Sequence, residues 1–531
     1  MTKKDIEIVS DVLVIGGGPA GAWAALTAAS KGAKVVLVDK GYVGTSGATA
    51  PSGTGVWYVE PDEEKRKEAK LSRYGLGGKL AENDWMDHVL DQTYENMNKL
   101  ADWGYPFPLN DQGSPHKTGL QGPEYMRLMR KLVHKAGVKI LDHSPALELL
   151  ADEHGVGGAT GIRQQTNETW QVKANAVIIA SGGCAFLSKA LGCNVLTGDG
   201  YLLAAEAGAE FSGMEFSTAY AISPEFSSVT KTAYYSYASF YYEDGTVVEG
   251  AGSKSGRSVI AKNLLANKKV YAVLDQAPEY LKPLLRVSQT NFFLPFDRLG
   301  IDPFKDKFPI TLRLEGTVRG TGGINIVDFT CATKIPGLYA AGDAATRELI
   351  CGGFTGGGSH NAAWAMSSGT LSGKGAADYA LRIGAQGTTR QLRGLSSVTF
   401  VSPQETTEKF NTAQYIHAVQ QEVAPYDKNL FRTEEILRQS LGRLDQLWKD
   451  IREQKIALDV EAIKVKEVAA MTQTARFMYT SALERKESRG MHKRLDYPTL
   501  DEKQRHRIIS SGLDEISIRT QAVNDREGIL Q

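Results

Sequence analysis

The sequence predicts an α/β fold organised on a parallel sheet, and three stretches carry that prediction: residues 11–39, 174–183 and 335–343. Each holds a short apolar run ending on small residues or an acid, as strands buried on both faces of a parallel sheet do. In the first, Gly16, Gly18 and Gly21 fall on the G-x-G-x-x-G spacing. An alanine-rich helix over residues 22–30 follows, then a strand over 34–38 and a terminal Asp39. The first glycine permits a tight turn, the second lets a diphosphate approach the backbone, and the third lets helix pack on strand. A pyrophosphate would rest on free N–H groups at the helix start beside Ala20, where the dipole favours negative charge. Asp39 supplies a carboxylate for a ribose hydroxyl. Strand, glycines, helix, strand and acid in that order distinguish a dinucleotide site from a structural turn. They leave NAD and FAD both open.

Length and charge bound the rest. A chain of 531 residues exceeds one typical domain, so two or three compact units are expected. Lysine plus arginine and aspartate plus glutamate are 61 each, which leaves no basic signature for nucleic acid. Cysteines 184, 193, 331 and 351 lack the paired spacing of a zinc or iron–sulfur site and read as reduced, buried thiols. The N-terminus runs straight into the first strand without a signal-peptide pattern, and no apolar run approaches a membrane span. The expectation is a cytoplasmic protein with no direct membrane insertion.

Residues 44–55 form a loop of almost entirely small residues, including Thr45, Ser46, Gly47, Ala48 and Gly53, suited to lie against something flat. Residues 63–104 are charged and helical in pattern and read as a surface layer. Residues 131–150 read as helix then strand, and residues 155–161 with 169–172 as a hairpin. Residues 174–183 form a buried strand ending in Ala180, Ser181 and Gly182. Asp199 then opens an alanine-rich helix that runs to Gly208. Residues 216–311 change to a tyrosine-rich composition with weak helical periodicity and many turns, which marks an inserted unit. The strand at 335–343 ends on Gly342 and Asp343, an acid placed for a ribityl hydroxyl. A glycine-rich stretch through Gly357 leads into a helix near Ser359. That second helix start is suited to negative charge on a reduced flavin ring. Two such termini fit a cofactor large at both ends, so FAD is favoured over NAD. Residues 391–531 read as a polar, mostly helical region with solvated charge runs. The predicted domains are 1–215 and 312–390 (one Rossmann-like FAD-binding unit in two parts), 216–311 (an α+β cap) and 391–531 (helical).

Together the segments resemble the flavoprotein-subunit family of succinate dehydrogenase, fumarate reductase and L-aspartate oxidase, with the adenylylsulfate reductase flavoprotein as a more distant relative. The resemblance rests on residues 16–21, 176–183 and 197–200, Ala207-Gly-Ala, Met214-Glu-Phe, Gly322-Gly-Ile, residues 335–343, and the motif Arg485-Lys-Glu-Ser-Arg-Gly-Met-His-Lys-Arg-Leu-Asp-Tyr-Pro498. It implies an FAD domain split by a mobile cap, substrate between them, and hydride passing to or from flavin N5. It also implies FAD contacts at Gly16, Gly18, Gly21, Asp39, Thr45, Ser46, Gly53 and Asp343, with Asp199 near the adenosine end. Lys40 is grouped with these.

The departures bear on chemistry. The histidine that bonds covalently to flavin in the succinate and fumarate enzymes is replaced at Gly47, which implies noncovalent FAD. The histidine-proline-threonine after Met-Glu-Phe is replaced around Tyr220. The histidine before the Gly-Gly-Ile turn falls at Val318 or Arg319. The cap's catalytic arginine falls near Gly252, with Lys254 and Arg257 close by, and another arginine is replaced at Phe354. A dicarboxylate needs two cationic clamps and a positioned proton donor. Succinate, fumarate and aspartate are therefore not the expected substrates.

The remaining candidates each have a plainer reading. Arg319 faces substrate or flavin, or is a surface arginine paired with Glu315. His360 donates to substrate or flavin, or caps a helix. Tyr220 donates a proton, or packs. Arg257 and Lys254 share the capping-loop role, and His492 braces domains. Cys184 and Cys351 lie near flavin segments without forming a redox pair. Expected partners are a small-molecule substrate and, in the alternative reading, a separate iron–sulfur or ferredoxin-like subunit; a homo-oligomer is compatible.

Overall fold

The computed structural model describes residues 5–109, 113–230, 233–253, 255–355, 357–402, 404–405 and 410–524, with side chains left undescribed at 386–388. Lys254 lies outside the described residues.

The strand Ile6–Ile15 lies at the centre of the main sheet, paired in parallel with Val35–Val38 on one side and Thr169–Ile179 on the other. Val12, Leu13 and Val14 have no exposed surface, as an apolar run between two helical layers requires. Lys139–Leu141 extends the parallel half beyond Val35–Val38. Residues 169–172 and 174–179 are one continuous strand. Its first half pairs antiparallel with Gly155–Ile162 and its second half parallel with Leu338–Ala340. That single strand turns a hairpin sheet into a parallel one and brings residues 180–182 beside residues 16–18.

The helices Pro19–Ser30 and Gly358–Ile383 pack together against this sheet. Close approach needs glycine: a Cβ on Gly369 would lie 2.4 Å from the Ala20 carbonyl oxygen. The helix Asn83–Asp102 differs from the surface layer expected of residues 63–104. It buries Trp85, Met86, Val89, Leu90, Met97 and Leu100, and Asn96 donates to the Met366 carbonyl at 3.1 Å. Its apolar face recurs at helical spacing, and dense charge on the opposite face hides that in composition.

Residues 219–316 contribute a four-stranded antiparallel sheet, in the order Ala219–Pro224, Phe308–Gly316, Val270–Val273, Ser239–Tyr241. Helices Gly256–Leu265, Lys282–Ser288 and Thr290–Leu299 accompany it. Its aromatic richness is a core: Phe292 packs edge-on against Tyr234 and Phe293, and Phe296 against Phe308.

Beyond residue 391, helices Thr412–Val423, Glu434–Glu453 and Val460–Glu484 pack together, but the tail is not all helical. Arg393–Gly394 joins the edge of the main sheet, and the hairpin His506–Ser511 with Ser517–Ala522 pairs with Phe211–Ser212. Cross-strand partners distant in sequence leave no local periodicity, so these strands were not legible.

The segment 485–494 carries a buried ionic network. Arg485 Nε lies 2.8 Å from Glu215, and Glu487 Oε1 accepts from Arg485 at 3.0 Å and Arg489 at 2.6 Å. Arg489 also reaches the Gly78 carbonyl, and Arg432 and the ring of His492 are 2.8 Å apart. Burial and three nearby arginines hold His492 well below its ordinary pKa, so it is neutral. Its ring meets Arg432, the Arg485 carbonyl and the Phe216 ring, so His492 ties two parts of the tail to the loop after Phe211–Ser212. Removing one member of such a network strands the others without solvent. Glu487→Ala is expected to destabilise the fold by about 3–5 kcal/mol, read as a lower denaturation midpoint. Val9→Thr, at an exposed position near the start of the first strand, should change it by less than about 0.5 kcal/mol.

Candidate active site

A cavity crosses the carboxyl ends of the parallel strands, lined by Ile15, Val38, Ala180 and Gly342 where each strand ends. Ligands of open α/β sheets bind at this edge.

The glycine turn forms one wall. Gly16 has φ +106, and a Cβ there would sit 2.4 Å from the Ala180 carbonyl oxygen. A Cβ on Gly18 would meet nothing within 4 Å, so its backbone faces open space. Gly21 does not line the cavity; its Cβ would lie 1.8 Å from the Gly16 carbonyl, so it serves helix packing. The helix Pro19–Ser30 begins without a side-chain cap, which leaves its first N–H groups free beside Ala20.

Asp39 is partly occupied already. Its Oδ2 accepts from the Gly17 N–H at 2.6 Å, and its Oδ1 from the Gly41 N–H and Ser46 Oγ, both at 2.7 Å. The carboxylate thus ties the glycine turn to the small-residue loop while still lining the cavity. Ser46, Gly47, Ala48 and Gly53 line it too. Thr45 does not: its N–H and hydroxyl both bond to the Tyr42 carbonyl, facing away.

Lys40 and Asp199 line the same end. Lys40 Nζ donates to Asp199 at 2.7 Å, to Thr197 Oγ1 at 2.7 Å, and pairs with Glu467 at 2.6 Å. Burial alone would lower the Lys40 pKa, but Asp199 and Glu467 outweigh it and hold the ammonium above its ordinary value. With its three N–H bonds committed, Lys40 offers the cavity its stem rather than a free ammonium. Across the cavity, Asp343 is held by the buried Arg347, which also donates to the Thr317 and Val318 carbonyls at 3.0 and 3.1 Å. Arg347 and Glu467 stand behind the lining, and nothing near either in sequence marks it as a support of the site.

At the far end lie Thr54, Val318, Arg319, Gly358 and Asn361. Arg319 Nε is 3.9 Å from Glu315, whose other oxygen accepts from Thr230 at 2.7 Å. Arg319 therefore both pairs with Glu315 and lines the cavity. Arg257, expected to be catalytic, does not line the cavity; burial lowers its pKa, Glu315 raises it and Arg319 lowers it further. Glu315 thus stands between two guanidinium groups. Asn361 donates to the Val318 carbonyl at 3.0 Å and leaves its Oδ1 without a partner.

Four more of the expected residues lie off the lining. Gly357 and Ser359 flank Gly358 without lining the cavity. His360 is buried against Trp57, ring centroids 4.8 Å apart, with Nδ1 3.3 Å from Ser359 Oγ. Burial, aided by Arg73, pushes its pKa down to about 3, and its Nε2 has no partner. It is a neutral imidazole one layer behind the lining, neither a cavity-facing catalyst nor a helix cap, since the helix Gly358–Ile383 has no side-chain cap. Tyr220 is no proton donor to this cavity. Its hydroxyl donates to the Val423 and Ala424 carbonyls at 3.1 and 3.0 Å, its ring packs on Tyr426, and burial raises its pKa well above 10. Cys184 and Cys351 are buried and free, and burial pushes the Cys351 thiol up to about 11.

The arrangement fits FAD. Backbone without side chains faces the cavity at Gly18, uncapped helix starts lie at both ends, and two lining acceptors lack protein partners: Ser181 Oγ and Asn361 Oδ1. Among the described lining residues there is no histidine, cysteine or tyrosine.

Comparison with known proteins agrees. The FAD binding domain family matches residues 11–221, and the family described as fumarate reductase flavoprotein C-term matches residues 418–527. A fumarate reductase flavoprotein subunit of Serratia sp. is 24% identical over 565 residues, covering 92% of this chain and 89% of its own. A quinol fumarate reductase structure from E. coli has TM-score 0.82 at 21% identity, covering 98% of both chains. An adenylylsulfate reductase structure from Archaeoglobus fulgidus has TM-score 0.78 at 18% identity, over 99% of this chain and 100% of that one. With a glycine-turn cavity whose lining fits FAD, the FAD binding domain family matched over residues 11–221 and the fumarate reductase flavoprotein C-term family over residues 418–527, this chain is an FAD-dependent oxidoreductase similar along most of its length to fumarate reductase flavoprotein subunits.

Proposed function

We propose that this oxidoreductase moves a hydride between noncovalently held FAD and an organic substrate bearing a carbonyl or carboxylate beside the reacting carbon, and that succinate and fumarate are not its substrates. One observation carries the reading: among the described residues lining the far end of the cavity, Arg319 is the one cation; the family resemblance adds that Phe354 falls where a second clamp is expected. Two carboxylates held by one guanidinium would leave a charge poorly compensated.

FAD, when bound, supplies the hydride chemistry at its N5. Arg319, steadied by Glu315, orients a substrate oxygen and offsets charge that develops there. The N-terminus of the helix Gly358–Ile383 adds its dipole to the same end. Asn361 Oδ1 accepts an N–H from whatever lies against it, and its amide is fixed by Val318. His360 supports this wall as a neutral ring. Noncovalent attachment is supported by Gly47 lining the cavity where a linking side chain would stand, and by the described lining residues including no histidine, cysteine or tyrosine.

A second reading is that the chain exchanges electrons with a separate iron–sulfur or ferredoxin-like protein. It is favoured by the word subunit in the relatives' names. No cluster of metal-ligating side chains occurs among the described residues, so such centres would reside on the other chain.

Anaerobic bleaching of bound FAD across a panel of substrates tests the proposal. Ketones or monocarboxylates with an adjacent C–H should bleach it, and Arg319→Met should lower kcat/KM by about 10²–10³ while retaining flavin. Bleaching by succinate would refute the proposal, whereas bleaching only by a reduced iron–sulfur protein would favour the second reading. Acid precipitation should leave the flavin in the supernatant. The neutral His360 has a further consequence. Below about pH 6.5 the unfolded chain binds a proton there that the folded chain does not, so stability falls with pH. His360→Gln should remove roughly 2 kcal/mol of the stability lost between pH 6.5 and 5, measured by denaturant titration at both pH values.

A further inference from the structure

The helix Val460–Glu484 contributes no residue to the cavity lining, yet it touches the cavity's adenosine end at three successive places along one face. Glu467 Oε1 pairs with Lys40 at 2.6 Å, and its other oxygen with Lys464 at 2.8 Å. Ala470 and Thr474 follow at spacings of three and four, which places all three on the same face. They press on the turn that presents Asp199: a Cβ on Gly198, at φ +83, would lie 2.6 Å from Thr474 Oγ1 and 3.5 Å from the Ala470 carbonyl. Asp199 is fixed in turn by Lys40 at 2.7 Å and Thr197 Oγ1 at 2.9 Å. Glu467 is 2% exposed.

From this chain of contacts we infer that Glu467 is a positioning residue for the cofactor, acting through Lys40 to set Asp199, so that docking of the Val460–Glu484 helix and binding of FAD are thermodynamically linked. Lys40 links the two carboxylates. Without Glu467 the ammonium has one carboxylate partner in place of two, and Asp199 loses the fixed cation that aims it. Linkage is reciprocal: whatever the docked helix adds to FAD affinity, FAD adds to the docking of the helix. The inference depends on the FAD site alone and is independent of the substrate reading.

Hydrogen exchange on the unmodified protein, with and without FAD, tests the linkage without any substitution. FAD should slow exchange in Val460–Glu484 although that helix lies outside the cavity. Equilibrium FAD binding to Glu467→Gln, which keeps the side chain's shape, should be about tenfold weaker, with the FAD-dependent protection of the helix reduced. In a double-mutant cycle with Asp199→Asn, the two losses should be less than additive, which a merely structural loss would not produce. Exchange in the helix unaffected by FAD, FAD affinity of Glu467→Gln within twofold of the parent, or additive losses in the cycle would each overturn the inference.

Discussion

Close approach between backbone segments is the constraint on which the rest of the molecule depends. The cavity exists because the Gly16 turn can lie against the Ala180 carbonyl and Gly21 against Gly16, with no side chain between them. That contact requires the strands Ile6–Ile15 and Thr169–Ile179 to run side by side in parallel and end together. Once they do, helix starts and small loops converge on one edge, and backbone N–H groups rather than lysines face the diphosphate region. Backbone donors are fixed by the fold and need no flexible side chain to be ordered on binding.

Charge inside this protein is handled by pairing. Lys40 is balanced by Asp199 and Glu467, Asp343 by Arg347, Arg319 by Glu315, and Arg485 and Arg489 by Glu215 and Glu487. Lys40–Glu467 and Arg485–Glu215 join segments far apart in the chain, and Asp343–Arg347 and Arg319–Glu315 stiffen turns that meet the cavity. Arg319 differs because its pairing distance is long and its guanidinium remains open to the cavity. A paired ammonium such as Lys40 shapes a wall, and an incompletely paired guanidinium such as Arg319 retains capacity for a ligand.

The parts of the site legible in the sequence were those whose chemistry is local. Gly16, Gly18 and Asp39 lie within one strand–turn–helix–strand unit whose spacing reflects a backbone requirement, and Gly342 with Asp343 repeats the logic at a second strand end. Thr45 turns to the Tyr42 carbonyl three residues back, whereas Tyr220 and His360 were misplaced for one common reason. A side chain's direction depends on partners far away: Tyr220 is drawn to the Val423 and Ala424 carbonyls and His360 to Trp57, and neither partner adjoins it in sequence. The hairpin His506–Ser511 with Ser517–Ala522 was missed likewise, since one of its neighbours is Phe211–Ser212.

By itself the sequence determined the α/β class, the dinucleotide turn, the preference for FAD and the family likeness, because each follows from short-range spacing of glycines, apolar runs and motif residues. Tertiary structure decided which polar groups face the cavity. It spent the N–H groups of Lys40 on acceptors from two distant segments, left Ser181 and Asn361 with unpaired acceptors, and set Arg319 beside Glu315. It also made the helix Val460–Glu484 a backing for the adenosine end. Pairing of buried charges is a condition on three-dimensional neighbours, and no spacing rule along the chain can specify it.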